Sequence, residues 1–137
     1  MSGADEEGAG KDRVAGFNAF RARMNERILA EDNQVVRRFF ALDTQTYKAG
    51  ALDVKTKEML GLVASMVLRC DDCISYHVAQ CSQAGVSREE FFEVFSVGLV
   101  VGGSIVIPHL RRAVDFLDTL ETGASTPECS GHAQESR

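Results

Sequence analysis

Tryptophan is absent from this chain, and proline occurs only twice. Few residues therefore force a break in the backbone, which suits a helical chain. Positive charge is in deficit: 15 Lys and Arg stand against 20 Asp and Glu, a formal net charge of −5. Nucleic-acid binding needs a basic face to neutralise phosphates, so no nucleic-acid partner is expected. No membrane span is expected either. The apolar stretch between Glu93 and His109 carries 15 uncharged residues, interrupted by Gly102, Gly103 and Pro108. A bilayer-spanning helix needs roughly 20. The opening MSGADEEGAGKDR lacks the basic segment and apolar core of a signal peptide, and a cytoplasmic location is the expectation. There is no Gly-rich phosphate loop, no internal repeat and no two-residue alternation that would mark strands.

What is present is enough for one domain with a real core: 137 residues, 45% hydrophobic and 26% charged. The expected organisation is a disordered N-terminus over residues 1–11, a helical domain over 12–121 and a disordered tail over 122–137. Apolar residues at Val14, Phe17, Phe20, Met24 and Ile28 keep a helical period. A second helix, capped by Asn33, carries Val35, Val36, Phe39, Phe40 and Leu42. It forms either a collar on the core or an arm around a partner subunit. Asp53 is placed to cap a third helix that runs to about Leu68, and a fourth runs from Asp71 or Asp72 to Gly85. Ser87 and Glu90 have the spacing of a capping box at the head of a fifth. The last spans about Ser104 to Leu120. The fold class is all-α, with about six helices. The third and fifth are apolar over so much of their surface that a homo-oligomer is expected to cover them.

Chemistry concentrates in Arg69-Cys70-Asp71-Asp72-Cys73-Ile74-Ser75-Tyr76-His77. Residues three or four apart share a helix face, so Cys70, Cys73 and His77 form one stripe. In a reducing compartment a Cys-x-x-Cys pair is catalytic or metal-binding rather than a structural staple. A dithiol at a helix start, one turn from an imidazole, can form and break a disulfide, because thiolate is the nucleophile. A metal site would lack a fourth ligand: no second Cys-x-x-Cys follows, and Cys129 and His132 lie in the tail. No metal is expected. Glu58 shares a polar stripe with Lys55, and is either a solvated charge or a partner for His77 across a helical hairpin. Cys81 reads as a buried thiol, Tyr76 as packing and His109 as structural.

The spacing Glu58, eleven residues, Cys70-x-x-Cys73, three residues, His77 resembles the signature of the alkyl hydroperoxidase D and carboxymuconolactone decarboxylase superfamily. Leu52-Asp53, Lys55 and Lys57 before it agree, as do Gly85-Val86-Ser87, Gly102-Gly103 and Pro108-His109 after it. The likeness covers about residues 50–118. It implies an alkyl hydroperoxidase D-like helical fold that assembles as a trimer or hexamer, and a dithiol peroxidase or disulfide reductase. By that resemblance Glu58 and His77 relay a proton, through a water, to Cys73, and Cys70 closes the disulfide. No cofactor is tightly bound. A lipoyl group on a carrier protein, or a thioredoxin-like protein, supplies electrons from outside. Asp72 stands where the hydroperoxidase D pattern has a histidine, and a carboxylate tends to raise a neighbouring thiol's pKa. Two other functions stay open: a lactone-processing decarboxylase with Glu58 and His77 as acid and base, and a non-catalytic oligomer that senses redox state.

Overall fold

The computed structural model describes residues 3–124, so Cys129 and His132 lie outside the described residues. Among the described residues six α-helices follow one another: α1 (Gly3–Leu29), α2 (Gln34–Thr46), α3 (Val54–Leu68), α4 (Asp71–Gln83), α5 (Arg88–Gly102) and α6 (Ile107–Ala124), with a 3₁₀ turn at Ser104–Val106 before the last. Among the described residues there is no strand. No described helix is long and apolar enough to cross a membrane.

The helix starts are set by short polar side chains, as the sequence spacing predicts. Asn33 Oδ1 accepts from the Val36 amide at 3.1 Å, and Asp53 Oδ1 from the Thr56 amide at 2.7 Å. Each satisfies one of the amides that a first helical turn leaves without a partner. Ser87 and Glu90 close the full capping box. Helix α4 ends at Gln83, and Gly85 takes the left-handed conformation just beyond it, with φ of 86°. A residue with a Cβ would be strained there.

Two boundaries differ from the sequence expectation. Helix α1 already begins at Gly3 rather than near Asp12. Extending an existing helix costs far less than nucleating one. At the other end α6 continues to Ala124, and Ser104 opens a 3₁₀ turn rather than the helix itself. Pro108 then falls in the first turn of α6, where its missing N–H is of no consequence.

Helices α3 and α4 form a tight antiparallel hairpin, joined only by Arg69 and Cys70. Arg69 makes so short a link possible by adopting the left-handed conformation, φ 58°, although it is not a glycine. The amide of Cys70 closes the corner on the Ser65 carbonyl at 3.1 Å. Helix α3 also packs on α5, α4 on α6, and α6 on α1. Leu62 and Met66 of α3, Ile74 and Val78 of α4, Phe91 and Phe95 of α5, and Phe116 and Leu117 of α6 fill the shared interior. Helix α2 differs from the others. It has no buried residue, and its Val35, Phe39 and Leu42 face solvent.

Candidate functional site

Cys70 is both the last residue of the corner and the N-cap of α4, where its Sγ accepts from the Cys73 amide at 3.3 Å. The two cysteines are joined as a disulfide, with Cα atoms 5.3 Å apart, inside the ordinary range for a bridge. One helical start thus supplies the short reach that the pair needs. Burial deepens along the stripe: Cys73 is exposed, Cys70 half-buried, and His77 and Cys81 buried. The exposed end of the bridge lies at the surface and the imidazole is buried further along the helix.

Below the dithiol, His77 Nδ1 lies 2.8 Å from Glu58 Oε2. Glu58 is only 3% exposed and His77 only 7%. This decides between the two sequence readings of Glu58: it is the partner of His77, not a solvated charge. Lys55, its neighbour in the polar stripe, turns the other way and pairs with Glu90 of α5 at 2.8 Å. A carboxylate only accepts, so Nδ1–H is the donor and Nε2 is the nitrogen that Glu58 leaves free.

Two groups missed at the sequence level close on Nε2. The Tyr47 hydroxyl, at the C-terminal end of α2, is 3.4 Å away. Gly61, one turn along α3 from Glu58, leaves the space that both side chains use. A Cβ there would stand 2.6 Å from His77 Cε1, 2.8 Å from Nε2 and 2.8 Å from the Tyr47 oxygen. Tyr76 packs its ring edge-on to His77, with the Arg21 guanidinium 4.1 Å above the Tyr76 ring centre. Burial first, then the nearby Glu58 carboxylate, push the phenols of both Tyr47 and Tyr76 above their ordinary value. No local pattern marks Tyr47 or Gly61.

The start of α4 is also tied to α6. His109 Nδ1 lies 2.8 Å from one oxygen of Asp71, and Arg112 Nε lies 3.1 Å from the other. Partial burial raises the Asp71 carboxyl, but the hydrogen bonds from His109 and Arg112 outweigh it, and the group settles below its ordinary value. His109 is therefore structural, as expected, and its bond is made within the chain. Asp72 remains exposed beside it. Among the described residues no group of three or more His, Cys, Asp or Glu could hold a metal ion.

Residues 33–116, which include the whole of this site, match the carboxymuconolactone decarboxylase family. The chain belongs to that family. A protein of Thermotoga maritima has the same fold with a TM-score of 0.79 and 54% identity, covering 82% of this chain and 98% of its own. A second structure from that organism, at 55% identity over 80% of this chain and 92% of its own, has a TM-score of 0.77 and is described as a member of the same family with a suggested part in the antioxidative response. A family member from Legionella pneumophila, solved in its apo form, is 25% identical over 81% of this chain and 96% of its own, with a TM-score of 0.68. A protein of the cox locus of Paracoccus denitrificans is 28% identical over 83 residues, 61% of this chain and 75% of its own length. The family's fold therefore carries the Cys70–Cys73 disulfide and the Glu58–His77 pair in this chain.

Two outcomes follow from the packing. Gly61→Ala should drive the new methyl group into His77 and Tyr47, at about 1–3 kcal/mol, the usual cost of overpacking. Urea unfolding would register it, and an unchanged midpoint would show that the two rings can give way. Burial, and then the Glu58 carboxylate, push the Cys81 thiol up to about 12. It should stay a neutral thiol until the pH approaches that value. After mild reduction and alkylation at about pH 8.5, near the ordinary thiol pKa, mass spectrometry should find Cys70 and Cys73 modified and Cys81 intact. Modified Cys81 in folded protein would contradict its burial.

Proposed function

We propose that the protein is a thiol-dependent oxidoreductase, a peroxidase or disulfide reductase that cycles the Cys70–Cys73 dithiol with Glu58 and His77 as a proton relay. The observation that carries this reading is the placement of a bridged cysteine pair at a helix start, one turn above a buried Glu–His pair. The antioxidative role suggested for the Thermotoga maritima relative agrees with it.

With a peroxide, the reduced cycle runs as follows. His77, oriented by Glu58, takes the proton of Cys73 through a water. The thiolate attacks one peroxide oxygen, the O–O bond breaks, and the leaving alkoxide takes a proton to become an alcohol. Cys73 is now a sulfenic acid. The Cys70 thiol attacks that sulfur, water leaves, and the disulfide forms. Two electrons have passed from the two thiols to the peroxide. With a disulfide as oxidant, the same thiolate forms a mixed disulfide that Cys70 resolves. An external dithiol, a lipoyl group on a carrier or a thioredoxin-like protein, restores the pair by exchange. Cys73 suits the attacking role because it is exposed and shares a face with His77. Cys70, half-buried at the cap, suits the resolving one.

The rival reading as a lactone-processing decarboxylase would keep Glu58 and His77 as acid and base and make no use of the disulfide. Turnover of an organic peroxide with dihydrolipoamide as reductant separates the readings. His77→Gln and Glu58→Gln should each lower the rate at neutral pH by about 10²–10⁴-fold, the usual worth of a general base. The two losses should not add, since members of one relay fail together. Part of each should return above about pH 8.5, where a thiol ionises unaided. Cys70→Ser should permit one attack without resolution. Full turnover in a Cys73→Ser variant would sink the proposal.

We also infer that the working form is a homo-oligomer, a trimer or hexamer. Leu60 and Leu68 of α3, with Val97, Val100 and Val101 of α5, remain exposed. The groove between these helices is lined chiefly by Met59, Leu60, Val63, Val94 and Val97. An apolar surface of this kind marks an interaction face. Light scattering at micromolar concentration should give a multiple of 14.9 kDa, and a monomer there would remove the inference.

A further inference from the structure

With Nδ1 committed to Glu58, His77 has one ring nitrogen free to exchange protons, and that nitrogen already faces the Tyr47 hydroxyl. Tyr47 is half-buried and caps the C-terminal end of α2. Helix α2 buries no residue of its own, so its packing does little to fix where Tyr47 sits. Lys57 does that instead. Its Nζ donates to the Thr46 carbonyl at 2.8 Å and to the Lys48 carbonyl at 2.6 Å, the two carbonyls on either side of Tyr47. An ammonium also suits the negative end of a helix. Lys57 precedes Glu58 in α3. A single turn of α3 therefore supplies the carboxylate that holds Nδ1 and the clamp that holds the group at Nε2. Gly61, one turn later, keeps the meeting point of the imidazole and the phenol free of any side chain.

We propose that Tyr47 is a positioning residue for His77: its hydroxyl holds Nε2, and Lys57 holds Tyr47 in place. The proposal rests on the relay reading only in what His77 does next. A phenol serves such a position well because, while its O–H donates to the bare imidazole nitrogen, its oxygen can accept from the relay water; the proton then reaches Nε2 through the hydroxyl, and the oxygen accepts from the new N–H. The ring is then held in one orientation on both sides of a proton transfer. The raised pKa of the Tyr47 phenol keeps it a donor through the neutral range. If Tyr47 served only as a flat apolar surface against the His77 ring, phenylalanine would do equally well.

Protein labelled with ¹⁵N-histidine distinguishes the two roles without any substrate. In the wild type, the Nε2 resonance of His77 should show a hydrogen-bonded nitrogen and the Nδ1 resonance a protonated one. Tyr47→Phe keeps the ring and removes only the hydroxyl. It should move Nε2 to the position of an unbonded imidazole nitrogen and leave Nδ1 in place. Lys57→Met, which keeps the stem and removes the clamp, should move Nε2 in the same direction by less. The alkylation rate of the reduced dithiol near pH 7 should fall roughly tenfold in Tyr47→Phe, short of the 10²–10⁴-fold loss of a whole general base. An Nε2 resonance that is unbonded in the wild type, or unmoved in folded Tyr47→Phe, overturns the proposal. If Nε2 moves while the wild type turns over no peroxide or disulfide, the positioning role stands and the redox function falls. If turnover is present and Nε2 does not move, the redox function stands and Tyr47 is only packing.

Discussion

The hydrogen bond between Glu58 and His77 organises the interior of this protein. A carboxylate and an imidazole, each less than a tenth exposed, are tolerated in an apolar core only if each satisfies the other. Removing one partner leaves a buried polar group unsatisfied, at about 1–3 kcal/mol and more where the survivor is charged. The bond therefore ties α3 to α4 in a particular register. It also explains why Gly61 lies opposite the ring and why Lys55 and Glu58, one turn apart in sequence, serve unrelated partners.

The dithiol is built from the opposite physical situation. It sits at the surface, at the end of the same hairpin, where a two-residue connection leaves no slack. Left-handed Arg69 turns the chain, and the Cys70 amide is used by Ser65. The cap position is then filled by sulfur rather than by the usual hydroxyl or carboxylate. Asp71 is drawn to the other side of the helix start by His109 and Arg112, which offset one of the two acidic charges beside the cysteines. This bears on the acidic charge that Asp71 and Asp72 place beside the cysteines. Half of it is answered by α6.

Outside this centre the molecule is unevenly finished. The core between α3, α4, α5 and α6 is closed, while α2 and the outer faces of α3 and α5 keep large apolar side chains in solvent. The structure thus combines a short hairpin that holds the Cys70–Cys73 disulfide and the Glu58–His77 pair with a helix, α2, that buries no residue of its own but ends at Tyr47. Lys57 is the joint between the two parts.

Much of this could be read from residue order alone, because it is local. Helix periodicity, the caps at Asn33, Asp53 and Ser87, and the glycine after α4 each depend on residues within one or two turns. So does the common face of Cys70, Cys73 and His77. The polar stripe that Glu58 shares with Lys55 favoured a solvated charge, and contact with His77 across the hairpin was possible but not forced. A hairpin fixes which residues come near one another, not how far each side chain is buried. Tyr47 and Gly61 were invisible, and Lys57 showed only as part of the flanking pattern, because their roles lie in contacts between segments that nothing near them in the chain records. The same holds for Asp71 with His109 and Arg112, separated by some forty residues. Sequence determined the helices and the chemistry available along each one. Tertiary packing decided which carboxylate meets the imidazole, since only the folded core excludes the water that would otherwise satisfy both.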